Sequence, residues 1–385
     1  MNSFGYKLGY LVSHPIQYQA PLLRRIAETP NIDLTVLFET LDTAERHHDE
    51  GFRHEFEWDT PLIKGYSHHA VSNPAELQGW LAKSDVLWVH GWDSALRRKA
   101  LTMAASSGLP TLMRGENTLA AMPDGAGLRG MAKRHYLKRI FRHCVGFLCI
   151  GTDNRRYYET HGIGEERLFS MPYAVDNDFF QAHARGASSR RDKFRSELRL
   201  EPDRPIILFA GKLQERKHPL TLLKAWRQLD HEKTGRPYLL YVGDGEERAA
   251  LEAMSQNDDR IRILGFRNQS ELPAFYDLAN VFILASEREP WGLSVNEAMA
   301  CGTAVIVSNQ CGCAVDLVDK SVGAIIPADD ASTLANTIAF ILSEPELSKS
   351  MGKAARKRIS NWSFDQDIEG LEEALKAVCP TPRQA

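Results

Sequence analysis

Cysteine is scarce in this chain of 385 residues. The six cysteines, at positions 144, 149, 301, 311, 313 and 379, are too few and too unevenly spaced for a disulfide framework. The Cys-Gly-Cys at 311–313 would suit half of a metal or redox site, but no second Cys or His pair stands at zinc-like spacing. We therefore expect reduced structural thiols, as in cytosolic proteins, and no bound metal or cofactor.

Long apolar runs and an excess of one charge are also missing. No stretch approaches the roughly 20 apolar residues that span a bilayer, and the first residues show no basic-then-apolar signal segment. The formal net charge of −3 gives no global field to attract nucleic acid. We expect a soluble cytoplasmic protein with no nucleic-acid partner, which at most lies on the inner face of a membrane.

What the chain does have is a regular alternation of short β-rich runs with longer amphipathic stretches, which is typical of parallel α/β sheets. Its length exceeds what one hydrophobic core usually supports. A polar, charge-rich stretch at 181–205 interrupts the alternation, as a linker plus a surface helix would. We predict two doubly wound domains, over 1–184 and 185–363, facing each other across a cleft, and a C-terminal segment, 364–385, whose helix packs back on the first domain.

The predicted strands are short and rich in Val, Ile, Leu, Phe and Tyr. They are KLGYLV (7–12), DLTVLF (33–38), DVLWVH (85–90), PTLMR (110–114), VGFLCI (145–150) and RLFSMP (167–172) in the first half, and PIILFAG (205–211), YLLYVG (238–243), RIRILG (260–265), NVFILAS (280–286), TAVIVSN (303–309) and GAIIP (323–327) in the second.

In such sheets ligands bind beyond the carboxyl ends of the strands, and EREPWGLSVNEAMACG (287–302) stands at such an end. Glu289 lies in the loop, and Glu297 lies about five residues into a helix that starts near Gly292 and stops at Gly302. An ionised carboxylate can accept both protons of a vicinal diol such as ribose 2′- and 3′-OH, and a helix start attracts anions. The pair suits a nucleotide-sugar, although each glutamate alone is more often a solvated charge.

A second predicted strand leads into a basic loop. FAGKLQERKHP (209–219) opens with Gly211 and places Lys212, Arg216 and Lys217 just before a helix. Ammonium groups beside a helix N-terminus suit a diphosphate leaving group, and they can supply the charge neutralisation that a divalent metal supplies elsewhere. The alternative is a solvated basic loop.

These stretches resemble the retaining glycosyltransferases of family 4, which have the GT-B fold of two Rossmann-like domains. The resemblance rests on GKLQERKHP, VGDGEER, LGF followed by ELPAFYDLANVFILAS, and EPWGLSVNEAMACGTAVIVSN, and it covers the whole second half. It continues weakly into RLFSMPYAVDNDFF (167–180). The spaced glutamate pair is the specific part, because VGDGEER is not the GxGxxG fingerprint.

The resemblance implies a role for each site residue. His90, Glu289, Lys212 and Lys217 would be catalytic, and His90 falls where the family has a first-domain histidine close to the transferring sugar. A lone histidine is as often a satisfied core residue. Binding of the donor would fall to Gly211, Arg216, Phe266, the backbone of Trp291, Gly292 and Leu293, and Glu297 on the ribose. Phe266 is equally typical of a core position.

Two features depart from the family pattern. Lys212 stands where Arg is usual, which keeps the charge but loses bidentate phosphate binding. The first strand leads into SHPIQYQAPLL (13–23), which has no glycine, so that His14, Gln17 or Tyr18 would contact the diphosphate with side chains, or the loop would face the acceptor. Further acceptor candidates, on position alone, are Arg114, Glu116 and Asn117 in MRGEN.

Two other motifs have simpler interpretations. Asp176-Asn-Asp178 spells DxD, a metal motif of another transferase class, but it lies in a linker-like stretch and we discount it. AKRHYLKRIFRHC (132–144) puts Tyr136, Leu137, Ile140, Phe141 and Cys144 on one face of a basic amphipathic helix. Such a helix can lie on anionic lipid, but more often it packs on its own sheet and exposes its charged face. Peripheral membrane contact stays an alternative.

The sequence therefore predicts a metal-independent, retaining glycosyltransferase. It would move a hexose from a UDP-, GDP- or ADP-sugar to a hydroxyl of a sugar or lipid-linked sugar, in bacterial-type polysaccharide, lipopolysaccharide or glycoconjugate synthesis. The alternatives are a sugar-nucleotide epimerase of the same fold and a non-catalytic subunit that binds a nucleotide-sugar. A dehydrogenase is disfavoured, because no glycine fingerprint follows the first strand of either half.

Overall fold

A computed structural model describes residues 5–42, 47–49, 54–56, 58–256 and 258–381, which fall into two compact units. The first unit comprises residues 1–47, 60–173 and 364–385, and the second comprises 48–59 and 174–363. The boundary expected after residue 184 falls inside a helix of the second unit.

Strands and helices alternate along both units. Up to residue 173 the elements are β1 (Tyr6–Val12), α1 (Gln19–Ala27), β2 (Ile32–Phe38), β3 (His47–Asp49), β4 (His54–Phe56), β5 (Ser67–Ala70), α2 (Pro74–Leu81), β6 (Val86–His90), α3 (Ala95–Ser106), β7 (Thr111–Arg114), α4 (Gly127–Phe141), β8 (Gly146–Cys149), α5 (Thr152–Thr160) and β9 (Leu168–Ser170). They are followed by α6 (Asn177–Ser188), α7 (Arg191–Glu197), β10 (Ile206–Ala210), α8 (Pro219–Arg227), β11 (Tyr238–Val242), α9 (Arg248–Ser255), β12 (Ile261–Ile263), α10 (Leu272–Leu278), β13 (Val281–Leu284), α11 (Leu293–Cys301), β14 (Ala304–Ser308), α12 (Ala314–Leu317), β15 (Gly323–Ile326), α13 (Ala331–Leu342), α14 (Pro345–Ile359) and α15 (Phe364–Val378).

The first unit is built on a seven-stranded sheet in the order β5-β2-β1-β6-β7-β8-β9. Its strands pair in parallel, and Leu8 of β1 stands opposite both Leu34 and Val86. These central positions are buried, which is why the strands read as continuous apolar runs. The strand order reverses between β1 and β6, so the carboxyl ends of these two strands mark the position where doubly wound sheets bind ligands.

The second unit is built on a six-stranded parallel sheet in the order β12-β11-β10-β13-β14-β15. Its order reverses between β10 and β13, which pair directly, with Ile207 opposite Val281. Its core contains Trp226, Tyr241 and Phe209, all fully buried. The two predicted doubly wound sheets are therefore present, and every predicted strand is found with slightly different ends.

Three strands escaped prediction. β3 and β4 form a separate two-stranded sheet, and β5 joins the edge of the first sheet beside β2. Their sequences, HHD, HEF and SHHA, are too short and too polar to show an apolar pattern.

The stretch predicted as a linker plus a surface helix forms two helices, α6 and α7. Asp176 caps α6 by accepting a 2.9 Å hydrogen bond from the N–H of Phe179. Phe180 and Ala184 give the helix a buried face. The DxD motif is thus a helix start, and the polar composition of 181–205 concealed the few apolar residues that anchor the helix.

The C-terminal helix α15 belongs to the first unit, as expected. Its residues Leu371, Ala374 and Leu375 are fully buried in the core beside β8 and β9. Gly370 lies against the backbone of Ser170, where a Cβ would come within 1.6 Å of the carbonyl oxygen. No helix among the described residues is both long and apolar enough to cross a membrane.

Candidate functional site

The loop after β13 carries the first predicted glutamate, and a neighbouring loop holds it in place. The N–H of Gly312 donates a 3.0 Å hydrogen bond to the carbonyl oxygen of Glu289. A Cβ at position 312 would lie 2.0 Å from the carbonyl oxygen of Pro290, so only glycine permits this approach. Cys311 and Cys313 flank it as buried free thiols. The Cys-Gly-Cys sequence is therefore a packing surface for the Glu289 loop.

Glu289 is 9% exposed, and its carboxylate faces the basic loop after β10. Lys217 Nζ donates to Glu289 Oε2 at 2.5 Å, and a guanidinium nitrogen of Arg216 lies 3.5 Å from the same oxygen. The backbone also links the loops, since the N–H of Glu287 donates to the carbonyl of Arg216 at 2.7 Å. Because β10 and β13 are neighbours, the sheet brings the two predicted loops together at one edge.

Glycines let the loop after β10 lie against the loop after β11. The N–H of Gly211 donates to the carbonyl of Val242, and that of Leu213 donates to Asp244. A Cβ on Gly243, whose φ is 134°, would lie 1.9 Å from the carbonyl oxygen of Gly211. Close packing of the two loops thus explains the glycine turn of VGDGEER. Lys212 lies half-buried in the same region.

Helix α11 begins at Leu293, one residue after Gly292, which adopts a φ of 104° in the left-handed region. Gly292, the N-cap residue, has no side chain to cap this N-terminus. Trp291 is buried, its Nε1 donates to Asn296 Oδ1 at 2.9 Å, and its ring stacks on Trp362 with the centroids 5.4 Å apart. The indole is committed to packing, which agrees with a contribution to binding through the backbone.

Glu297 lies on α11 beside Tyr276, whose hydroxyl donates to Glu297 Oε2 at 2.7 Å. Burial raises the pKa of Glu297 to about 7, against the hydrogen bond from Tyr276, which lowers it. This carboxyl therefore changes charge near neutral pH. Phe266 is partly exposed and meets the ring of Trp58 edge-on at 6.1 Å, both in the second unit.

In the first unit, His90 ends β6 at the point where the strand order reverses. Its Nδ1 lies 3.1 Å from the hydroxyl of Tyr10, which donates to Gln19 Oε1 at 3.0 Å. Its Nε2 lies 3.8 Å from Glu116 Oε1. His90 is thus part of a polar cluster at the carboxyl edge of the sheet.

Glu116, two residues beyond β7, is the centre of that cluster. Tyr18 donates to its Oε1 at 2.7 Å, Tyr173 donates to the same oxygen, and the two tyrosine hydroxyls lie 2.6 Å apart. Burial alone would raise the pKa of Glu116, but the nearby His90 and the hydrogen bonds from Tyr173 and Tyr18 outweigh it and lower the pKa to about 2. Glu116 is therefore ionised at neutral pH.

The other first-unit candidates are dispersed. His14 Nδ1 lies 2.9 Å from the hydroxyl of Ser13. The amide nitrogen of Gln17 is buried and has no hydrogen-bond partner in the described part of the chain. Asn117 is buried, and its carbonyl accepts from Asn154.

The structure corrects the prediction that Arg114 contacts the acceptor. It is 2% exposed, and it donates to Asp367 Oδ1 at 2.9 Å and to the carbonyls of Met171 and Pro172. The guanidinium therefore anchors α15 and does not face an acceptor. Among the residues that sequence reasoning missed, Tyr173 and Tyr276 gave no signal at all, since a buried tyrosine is indistinguishable from core until its hydroxyl partner is known.

The match to a known protein family lies entirely within the second unit. Residues 190–358 match the family model described as glycosyl transferases group 1. The D-inositol 3-phosphate glycosyltransferase of Nocardia farcinica is 24% identical over 81% of this chain and 66% of its own length. The corresponding enzyme of Segniliparus rotundus is 26% identical over 55% of this chain and 47% of its own length. The chain therefore spans about half to two thirds of the length of these relatives.

Solved structures confirm the predicted GT-B fold. The Anabaena protein HepE in complex with UDP and glucose matches with a TM-score of 0.69, 16% identity and coverage of 96% of this chain and 99% of its own. A glycosyltransferase of Rickettsia africae matches with a TM-score of 0.74, 16% identity and coverage of 98% and 100%. WaaG, a glycosyltransferase involved in lipopolysaccharide biosynthesis, matches with a TM-score of 0.65, 14% identity and coverage of 97% and 100%.

Proposed function

We propose that this chain is a glycosyltransferase that transfers a hexose from a nucleoside-diphosphate sugar with retention of configuration and without a metal ion. The match of residues 190–358 to the family model of group 1 glycosyl transferases supports this proposal. The acceptor would be a hydroxyl of a sugar or lipid-linked sugar, in polysaccharide, lipopolysaccharide or glycoconjugate synthesis. The relatives that carry UDP and glucose, or act in lipopolysaccharide synthesis, support this choice of donor and acceptor class.

One observation carries the proposal: the basic loop after β10 and the glutamate loop after β13 meet at one sheet edge, beside the start of α11. A diphosphate needs positive charge, and Lys212, Arg216 and Lys217 supply it together with the first N–H groups of α11. The charge of these groups can stabilise the departing diphosphate in place of a divalent ion. Glu297, further along α11, would accept hydrogen bonds from the ribose diol.

The pairing of Glu289 favours same-face displacement over a covalent intermediate. Its carboxylate is held by Lys217 and Arg216, which suits an acceptor of hydrogen bonds from the donor sugar more than a free nucleophile. In the proposed step the bond between the anomeric carbon and the diphosphate oxygen breaks, and the acceptor oxygen attacks from the same face. The leaving phosphate oxygen takes the acceptor proton, so no separate base is needed.

A thermal-shift panel of UDP-, GDP- and ADP-sugars, followed by turnover with the donor that stabilises the protein most, tests the proposal. Glu297→Ala and Lys217→Ala should lose that stabilisation and lower turnover about a hundredfold. Lys224→Ala, on the exposed face of α8, is the matched lysine control and should behave as wild type. Wild-type behaviour of both site variants would remove the assignment.

The same panel separates the two alternative functions. A sugar-nucleotide epimerase would interconvert donor sugars with no acceptor added, which an NMR time course would detect. A non-catalytic subunit would bind a nucleotide-sugar tightly and turn over none.

We further propose that α4 and the residues around it contact an anionic membrane surface, which would place the protein at the cytoplasmic face. Of the nine exposed large hydrophobic residues among those described, six fall between residues 119 and 145, with Leu128 the most exposed at 79%. The other five are Leu119, Met122, Met131, Tyr136 and Val145. We call Leu128 and Met131, which lie about one turn apart on α4, the apolar patch.

Charge on α4 complements anionic lipid. Residues 125–145 contain six Lys or Arg and no Asp or Glu. The helix buries Gly130, Leu137, Ile140 and Phe141 on its own unit, as predicted, but Tyr136 is exposed instead of sharing that face. Exposed apolar side chains flanked by basic ones are typical of helices that lie in the membrane interface, where each basic residue contributes about 1 kcal/mol.

A further inference from the structure

Glu116 has one oxygen fully used and one without a protein partner. Oε1 accepts from Tyr18 and Tyr173, whereas Oε2 has no hydrogen-bond partner within the residues that the structure describes. The side chain is 37% exposed, although Tyr173 beside it is only 4% exposed. Because Oε2 is not among the buried polar atoms without a partner in the described residues, it is open to solvent. Oε2 is therefore placed to accept a hydrogen bond from a ligand.

Tyr18 and Tyr173 are suited to donate hydrogen bonds to this carboxylate and not to act as anionic acceptors themselves. Burial and the charge of Glu116 raise the pKa of both Tyr18 and Tyr173 well above the usual value. Both hydroxyls therefore stay protonated and act as donors at neutral pH. The rings meet edge-on with their centroids 5.4 Å apart, which fixes the direction of the two hydroxyls.

His90 offers a donor beside this acceptor. The amide nitrogen of Gln19 lies 3.5 Å from His90 Nδ1, so Nδ1 can accept from this amide and the neutral ring then carries its proton on Nε2. Nε2 then faces Glu116 across 3.8 Å, which is too long for a direct hydrogen bond. This distance is to Oε1, so the pair presents an N–H beside a carboxylate whose Oε2 has no hydrogen-bond partner among the described residues.

We propose that Glu116, positioned by Tyr18 and Tyr173, binds a hydroxyl of a sugar substrate together with His90. A hydroxyl both accepts and donates, so it can accept from His90 Nε2–H and donate to Glu116 Oε2. The inference rests on the proposed function for the identity of the sugar, which is either the transferred hexose or the acceptor. It adds a substrate-binding carboxylate and its two supporting tyrosines in the first unit.

The first test needs neither a donor nor turnover. Saturation-transfer NMR with millimolar methyl glycosides of glucose, galactose and mannose is recorded on the full chain and on Glu116→Gln, which keeps the shape and removes the charge. The signal of at least one glycoside should fall about tenfold. Asp85→Asn is the matched control, because Asp85 is a buried carboxylate just before the start of β6, at the opposite edge of the same sheet, and accepts from the N–H of Lys7.

Two further variants, Tyr173→Phe and Tyr18→Phe, test whether a lost signal reflects misfolding and not a lost contact. Each removes one donor to Oε1 and should weaken the same signal about threefold, while thermal denaturation shows whether the variant is folded. No signal for any glycoside with the wild-type protein would overturn the inference, as would equal signals for wild type and Glu116→Gln. A signal lost equally in Asp85→Asn would also overturn it.

Kinetics then separate the two sources of the hydroxyl. If it belongs to the transferred hexose, Glu116→Gln lowers both donor hydrolysis by water and transfer about tenfold. If it belongs to the acceptor, donor hydrolysis persists while KM for the acceptor rises. Unchanged hydrolysis and transfer would overturn the inference even when donor binding by the second unit upholds the proposed function.

Discussion

Lys217 and Glu289 lie 72 positions apart in the chain, yet Nζ of one donates to Oε2 of the other at 2.5 Å. Their side chains are only 13% and 11% exposed. The pair therefore links the loop that would neutralise a diphosphate to the loop that would hold the sugar. A ligand that draws Lys217 toward its phosphates changes the partner of Glu289 at the same moment.

Removing one charge of this pair should cost more stability than removing both charges. Lys217→Met leaves a mostly buried carboxylate without its main partner, and we expect a loss of about 3 kcal/mol in the free energy of unfolding. Lys217→Met with Glu289→Gln should recover most of that loss but none of the donor affinity. Urea unfolding and calorimetric titration with the donor measure the two effects. Stability losses that simply add would contradict the coupling.

The pKa of Glu297 predicts a pH-dependent stability. Burial raises this pKa from 4.5 to about 7, so between these values the folded state binds more protons than the unfolded state. Stability is then lost as pH rises through that window. Glu297→Gln removes the loss, and the variant should gain up to about 3 kcal/mol relative to wild type at pH 8 but nothing near pH 4.

The same variant should bind the donor more weakly, because a carboxamide accepts fewer hydrogen bonds from the ribose diol. Melting temperatures at pH 5 and pH 8, with and without donor, test both halves of this prediction. A variant that is less stable than wild type at pH 8 would show that the carboxylate has stabilising partners beyond Tyr276.

A methyl group at Gly312 should disable the proposed donor site without changing a charged residue. The Cβ of Gly312→Ala would lie 2.0 Å from the carbonyl oxygen of Pro290, so the loop with Glu289 must move. We expect at least a tenfold loss of donor affinity, measured by calorimetry. Gly186→Ala is the control, because it lies in α6 with nothing within 4 Å of its Cβ. It should raise stability by about 0.5–1 kcal/mol and leave binding unchanged.

Sequence alone could predict the strands and the second-unit loops, for a physical reason. Buried parallel strands are apolar along their whole length, and a ligand loop follows such a strand, so position alone marks Lys217 and Glu289 as candidates. The meeting of these two residues follows from the adjacency of β10 and β13, which the order of strands along the chain does not reveal.

The sequence does not reveal which side chains pair with one another in the first unit. Arg114 is the last residue of a strand, a position typical of ligand-binding residues. It donates instead to Asp367, which lies 253 positions away on α15. Tyr18 and Glu116 were each noted by position, and their shared partner Tyr173 was not. Long-range pairing of this kind leaves no periodicity in the sequence, so only the folded structure shows that Arg114 is buried and that Glu116 is partly exposed.

The apolar patch predicts binding to vesicles that contain anionic lipid. Leu128→Ser with Met131→Ser should lower co-sedimentation with phosphatidylglycerol vesicles about tenfold, because two inserted apolar side chains are lost. Arg139→Glu with Arg142→Glu should abolish the preference over phosphatidylcholine vesicles. Phe340→Ser, at a site 62% exposed on α13, and Lys353→Glu with Lys357→Glu, on the exposed face of α14, are matched controls that should bind like wild type. Equal loss in the controls would mean that binding follows total hydrophobicity or charge, whereas a loss confined to α4 requires that this helix meets the lipid.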